Sequence, residues 1–451
     1  MSDTASTVEA DLAAWSGGRI EVSAADDEIA RALLLDSLAV MGTGIKARAS
    51  RSLLGYANVM VSGDCPIVGT AELGSPAAAA LRNGTAGAAE LWDDTSLVMN
   101  THSSVPIFAT LLSDAVAVKP TYGQFIEAYV AGMEVQLAIV RLCGRSLYQR
   151  GYHSTGLLGA IGAAVATGHL RGYSPEQMLR VIGISASMGS GLRVQFGSDV
   201  MPLHSGLAAE RGLAAADLAA AGIVPDERTL TGRYGFVQCH TDAPGAASWS
   251  GPAGLAATET VLKRYPVGAP NMAPVDAVLQ VRSRLGPDLR TGDIDKIVCR
   301  ADRWVEYTIG LGVPPAPYAG RVNLPFCVAA ALLHGDRLSE AFVGDEPVSS
   351  EIRRLIELFT LEVDDMTDPS GQPWSSIEVT TREGHYSARS TPAAYVLPSL
   401  SGTSGDAIRA KMMDVASLRE TSASIVDFVC YAPSHAPLST LLELVRAPPR
   451  V

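Results

Sequence analysis

Two short phrases carry the side chains most able to move a proton: Asp93-Asp94 followed by His102-Ser103-Ser104, and Gly151-Tyr152-His153-Ser154-Thr155-Gly156. A free imidazole titrates near pH ~6.5, so either histidine is able to give or take a proton at neutral pH. A carboxylate beside His102 would fix its tautomer and orient it for general acid–base chemistry. The plainer reading is an aspartate capping a helix with a loop histidine nearby. His153 precedes a long apolar stretch that begins near Leu157. A helix there would present unsatisfied N–H groups, together with Ser154 and Thr155, to a carboxylate. Its alternative is a capped helix with a surface histidine.

Two more groups are candidates. His204, in Pro202-Leu203-His204-Ser205-Gly206, sits just before an expected helix and reads either as ligand-facing or as packed at a helix entrance. Lys263, in Lys263-Arg264-Tyr265-Pro266, lies at an expected domain junction, where clefts commonly form. A lysine there would hold a carboxylate or enolate as a point charge; the alternative is a surface basic pair ending a helix. Other site classes lack their signatures. There is no GxGxxG opening a βαβ unit, no GxxxxGK[ST], no HExxH and no EF-hand loop, and no Gly-Xaa-Ser-Xaa-Gly in a strand–turn–helix setting. The spacing of Asp93, His102 and His153 matches no metal motif, so neither a metal nor a cofactor is expected.

Composition narrows the partners. The 451 residues are 47% hydrophobic and 18% charged, enough apolar material for large cores, and length alone suits two or three domains. A net charge of −12 argues against a nucleic-acid partner, because the basic groups around Arg141–Arg145 and at Lys263-Arg264 are short. Met1-Ser2-Asp3-Thr4-Ala5 lacks the basic start and apolar run of a signal peptide. Apolar stretches such as Leu157–Thr167 are glycine-broken and shorter than the ~20 residues a bilayer needs. Six scattered cysteines (Cys65, Cys143, Cys239, Cys299, Cys327 and Cys430) form no CxxC pair and read as reduced, mostly buried thiols of a cytoplasmic protein.

The elements that must position these groups follow from periodicity. Ile29, Leu33, Leu34, Leu38 and Met41 recur at helical spacing. Thr121 with Gln124, and Ser174-Pro175 with Gln177, are helix starts. Leu157–His169 and Gly206–Ala221 are dense in Ala, Gly and Leu, which predicts closely packed helices continuing, almost without strands, to about Arg264. Beyond Pro266 the texture changes. Ile294, Ile297 and Val298 form a β-branched run, and Ile377, Val379 and Thr381 alternate with polar residues before a turn at Glu383-Gly384. Helices are expected over roughly 324–333 and 349–359. From Gly405 helical spacing returns, through Ile408 and Met412 and again over Pro437–Arg446. The expected fold is mainly α with an α+β insertion: a discontinuous helical domain (1–266 and 401–451) and a smaller α+β domain (267–400).

Together these phrases resemble the MmgE/PrpD family, which includes 2-methylcitrate dehydratase, cis-aconitate decarboxylase and iminodisuccinate epimerase. The matching stretches are Leu35-Asp36-Ser37-Leu38-Ala39, Asn83-Gly84-Thr85-Ala86, the two histidine phrases, Gly132-Met133-Glu134-Val135, Gly197–Gly206, Lys263-Arg264-Tyr265-Pro266 and Asn323-Leu324-Pro325-Phe326. They run in family order from about residue 26 to about 430. The resemblance implies a metal-independent homodimer whose active site lies between a helical domain and an α+β lid. It gives Asp93, His102, His153 and Lys263 catalytic roles, and it puts Asp94, Ser103, Tyr152, Ser154, Thr155, Met201, His204 and Phe326 near the substrate.

Two departures qualify what the resemblance implies. Met201 stands where the family usually has lysine, and Phe326 where many members have tyrosine. Losing a cation from a dry cleft would leave a substrate carboxylate poorly compensated, whereas methionine offers a flexible apolar contact. The expected reaction is a dehydratase-like elimination that begins with proton abstraction beside a carboxylate or carbonyl, on a small molecule less anionic than methylcitrate. Epimerisation or decarboxylation by the same residues is the alternative. A catalytically degenerate, binding or structural member is the reading of another class, and the presence of both histidines, the aspartates and Lys263 weighs against it. No nucleic-acid or membrane partner is expected.

Overall fold

The computed structural model describes residues 7–144, 146–242, 248–286, 289–307, 310–344, 346–364, 374–390 and 395–446. The N-terminal pentapeptide and Arg145 of the basic group lie outside them. The chain divides into two compact units: Met1–Arg193, Asp199–Leu262 and Leu397–Val451 form the first, and Val194–Ser198 with Lys263–Val396 the second. The fold is mainly helical with a small α+β part.

In the first unit, helices Ala24–Gly44, Pro76–Ala89, Ser104–Val118, Tyr122–Cys143, Ser154–Leu170 and Val200–Ala220 pack on one another. Their starts are chemically determined. Thr121 and Ser174 each accept a backbone N–H three residues on while Gln124 and Gln177 reach back, forming two capping boxes. Leu33, Leu34, Leu35, Leu38 and Met41 are fully buried. Phe108 stacks on Tyr129 with ring centroids 4.1 Å apart. Small residues set the closest helix approach: a Cβ on Gly84 would lie 2.8 Å from Cα of Gly206, so the Pro76–Ala89 and Val200–Ala220 helices meet backbone to backbone.

Two starts differ from expectation. The helix expected from Gly206 begins at Val200, with Asp199 at its N-cap and Pro202 in its first turn, where proline is tolerated. Met201 and His204 therefore sit inside a helix rather than before it. The helix expected near Leu157 begins at Ser154, with His153 as its N-cap. Lys263 ends no helix. It closes the strand Thr260–Lys263, which pairs antiparallel with Thr95–Ser96, a ladder too short for period-two patterning to announce.

In the second unit, strand Ile294–Asp302 lies between Phe359–Asp364, parallel to it, and Ser375–Thr381, antiparallel; Gly384–Ser390 completes the four-stranded sheet as a hairpin. Ser375, Ile377, Val379 and Thr381 point to the buried face, against helix Met272–Leu285, which packs in turn on Leu324–His334. Among the described residues no helix is long and apolar enough to cross a membrane.

One buried carboxyl supplies a test of the helical packing. Glu134 accepts the backbone N–H of Ala253 at 3.0 Å through Oε2, while its buried Oε1 has no partner. Burial pushes its pKa up, against the backbone hydrogen bonds that lower it. A raised carboxyl binds more protons folded than unfolded, so its contribution to stability is complete below the ordinary glutamate range and is lost as pH rises through the raised folded value. Glu134→Gln is expected to melt at or above the native temperature at pH 7, with the difference shrinking as pH falls toward ~4. Thermal unfolding of both proteins across pH 4–8 measures this.

Candidate active site

The turn after helix Pro76–Ala89 places Asp93 and Asp94, both buried, against His102. The Nδ1 of His102 lies 2.6 Å from the backbone oxygen of Asp94. A carbonyl only accepts, so Nδ1 carries the proton and a neutral His102 keeps its lone pair on Nε2. The Asp93 carboxylate stands 3.6 Å from the same Nδ1. The His102 side chain keeps 19% of its surface exposed. Asp94 accepts through Oδ2 from Ser104 Oγ at 2.8 Å, and Ser104 Oγ is 2.8 Å from the Tyr129 hydroxyl. Burial, and then the Asp94 charge, drive the Tyr129 pKa far up, so that phenol stays protonated and donates.

The hydroxyls expected to touch substrate divide into two groups. Ser103 donates to Gln136 Oε1 at 2.7 Å inside the helix packing. Thr155 Oγ1 accepts the His102 backbone N–H at 3.0 Å, so the first turn of the Ser154–Leu170 helix fixes the His102 backbone. Both act on the site from behind. Ser154 Oγ, by contrast, is buried with no hydrogen-bond partner, beside the N-terminal amides of its helix.

His153, the N-cap of that helix, uses no side-chain capping bond. Its backbone N–H donates to Gly191 O at 3.0 Å. Its Nδ1 lies 2.9 Å from Nδ1 of His204, one imidazole bonded to another. Burial, and then the Arg211 charge, push the His204 pKa down. The His102 and His153 rings stand 6.3 Å apart, edge to face at 69°. Met201, 6% exposed, lies in the same helical turn as His204.

Three expected residues remain. Tyr152 stands edge-on to His240 at 4.9 Å. Lys263, buried, opens the second unit. Phe326, 0% exposed, packs near Phe342 within that unit, and a Cβ on Gly320 would strike its ring.

The residues that sequence reading missed are supporting ones. Tyr129 and Gln136 lie on an apolar helical face and read as core. Lys411 donates to Asp36 Oδ1 at 2.6 Å and to the Trp92 carbonyl at 2.7 Å, holding the turn that carries Asp93; a separation of 375 residues leaves no local signal. Among the described residues no three His, Cys, Asp or Glu side chains converge as a group that could hold a metal ion.

Known proteins supply the remaining comparison. The MmgE/PrpD N-terminal domain matches residues 20–247 and the MmgE/PrpD C-terminal domain residues 265–418. Cis-aconitate decarboxylase of Homo sapiens is 26% identical over 323 residues, 68% of this chain and 66% of that protein. The Aspergillus terreus (strain NIH 2624) cis-aconitate decarboxylase is 27% identical over 264 residues, 54% of this chain and 52% of the relative. The Mus musculus enzyme is 24% identical over 372 residues, 78% and 75% of the two chains. The match thus spans from about half to just under two thirds of the length of the first two relatives.

Proposed function

The chain belongs to the MmgE/PrpD family, and on that premise we propose that it is a lyase that removes a proton beside a carboxylate or carbonyl and expels a β-hydroxyl as water. The observation that carries this reading is the pair His102 and His153, 6.3 Å apart with unlike backing. His102 has the Asp93 carboxylate 3.6 Å from its Nδ1, placed to balance positive charge on a ring that acts as general acid. His153 has a neutral imidazole at its Nδ1, which suits a base that rests uncharged. Elimination needs both in one turnover. The electron pair of the broken C–H bond forms the C=C bond, the C–O bond breaks, and the His102 proton leaves with the hydroxyl as water; His153 holds the abstracted proton until it is returned to solvent. Loss of CO2 needs only the acid, to protonate the carbanion. The relatives' names support the lyase class. Lys263 keeps the role the resemblance gives it, the cation for the developing enolate.

Met201 supports a substrate less anionic than a tricarboxylate, since a thioether supplies no charge to a buried carboxylate. A hydroxy acid with one or two carboxylates is the proposed class. The test incubates mono-, di- and tricarboxylic hydroxy acids with the enzyme in heavy water, following C–H exchange by NMR alongside product. Exchange with loss of water from the smaller acids is the expected result, and CO2 release without exchange would overturn the elimination. In Met201→Lys, one charge-assisted hydrogen bond worth ~1.5–3 kcal/mol is expected to raise kcat/KM for a tricarboxylate relative to a monocarboxylate by about 10- to 100-fold. An unchanged ratio would overturn the substrate class.

A further inference from the structure

The pairing of His153 with His204 carries a consequence for where protons sit. Two imidazoles that meet Nδ1 to Nδ1 at 2.9 Å share one proton, so one ring donates and the other accepts. Their geometry is held by packing. A Cβ on Gly191 would press on His153 Cβ at 3.2 Å and on His204 Cγ at 3.3 Å, and one on Gly156 would reach His204 Cβ at 3.4 Å. Both glycines thus make the room in which the rings meet, and their centroids stand 5.2 Å apart at 57°. Arg211 lies two turns along the His204 helix and donates to Ser190 Oγ and Met188 O; on the other side are His102 and, behind it, Asp93. A buried imidazole near a guanidinium resists a second proton, so His204 is the ring that stays neutral.

We propose that His204 is a positioning residue: its Nδ1 lone pair accepts from His153 and holds the His153 proton on Nδ1, leaving Nε2 as the basic atom. The direction follows from what each arrangement does when His153 gains a proton. With His153 donating, the imidazolium keeps the same hydrogen bond and nothing rotates. With His204 donating, protonation of His153 would set two N–H groups against each other and break the bond. Only the first is compatible with both states of a working base. His204, expected from sequence to face the substrate, thus acts through His153. Both the direction of this hydrogen bond and the use of Nε2 as a catalytic base rest on the elimination reading above.

The experiment is long-range 1H–15N NMR of the full chain carrying 15N-histidine, with the His153 signals assigned by their loss in His153→Gln. In the native protein above the histidine titration, His153 is expected to show a protonated Nδ1 and a bare Nε2. His204→Leu, which fills the space but accepts nothing, is expected to convert His153 largely to the Nε2–H form that predominates in a free imidazole. His204→Asn, whose Oδ1 accepts, is expected to retain the native pattern, and to retain more of any C–H exchange than the leucine variant. A native His153 protonated on Nε2, or a pattern unchanged in His204→Leu, would overturn the proposal. If the leucine variant does not fold, the native spectrum and the asparagine variant decide it. Absence of exchange with every acid tested would count against the elimination reading alone, because the tautomer is read without substrate.

Discussion

His153→Gln is expected to lower C–H exchange and turnover by about 10²- to 10⁴-fold while leaving the fold intact, the range over which a positioned general base acts. Glutamine suits the test because its amide fills much of the imidazole's volume and still meets Nδ1 of His204, but it cannot take a proton at neutral pH. The companion variant, His102→Gln, separates the two roles. With the acid gone and the base present, the substrate C–H continues to exchange with solvent while loss of water falls by a comparable factor. If the assignments were reversed, the two variants would exchange phenotypes. The double variant is not expected to fall by the product of the two factors, since a base without its acid completes no turnover and residues that act as a unit are not additive. Circular dichroism and thermal unfolding of each variant check that activity, not folding, was lost.

That His102 would come beside Asp93 and near His153 was legible because chemistry concentrates in few residue types, and those stood beside glycine and hydroxyl residues. The mainly helical fold was legible because capping boxes at Thr121 and Ser174 and leucine spacing at 33–38 are local signals. What was not legible is non-local or depends on helix phase. Starting the helix at Val200 instead of Gly206 places His204 on a buried turn, where it meets His153. Ser103, Ser104 and Thr155 looked equivalent as small hydroxyls. Their partners, Gln136, Tyr129 with Asp94, and the His102 backbone, are chosen by helix crossings that no local pattern encodes. Phe326 looked like a lost phenol and is a core ring.

The stability test with the largest expected effect lies in the least local of these contacts. Lys411, on helix Gly402–Met413, is buried with its ammonium 2.6 Å from Asp36 Oδ1, 2.7 Å from the Trp92 carbonyl and 4.6 Å from the Trp92 ring centroid. Lys411→Met keeps the length of the stem and removes the charge. Asp36, buried on helix Ala24–Gly44, then loses this cation, and breaking a buried pair from one side costs about 3–5 kcal/mol. The variant is expected to unfold at a markedly lower denaturant concentration, followed by tryptophan fluorescence and circular dichroism. Asp36→Asn combined with Lys411→Met removes the remaining charge as well and is expected to recover more than half of that loss, so the single variant is less stable than the double. Activity is expected to separate from stability. The Trp92 carbonyl loses its donor in both variants, and the turn carrying Asp93 loosens in both. The double variant, though restabilised, is therefore expected to remain below native exchange and turnover. Full recovery of activity alongside stability would mean that Lys411 holds the helices together and does nothing for the site.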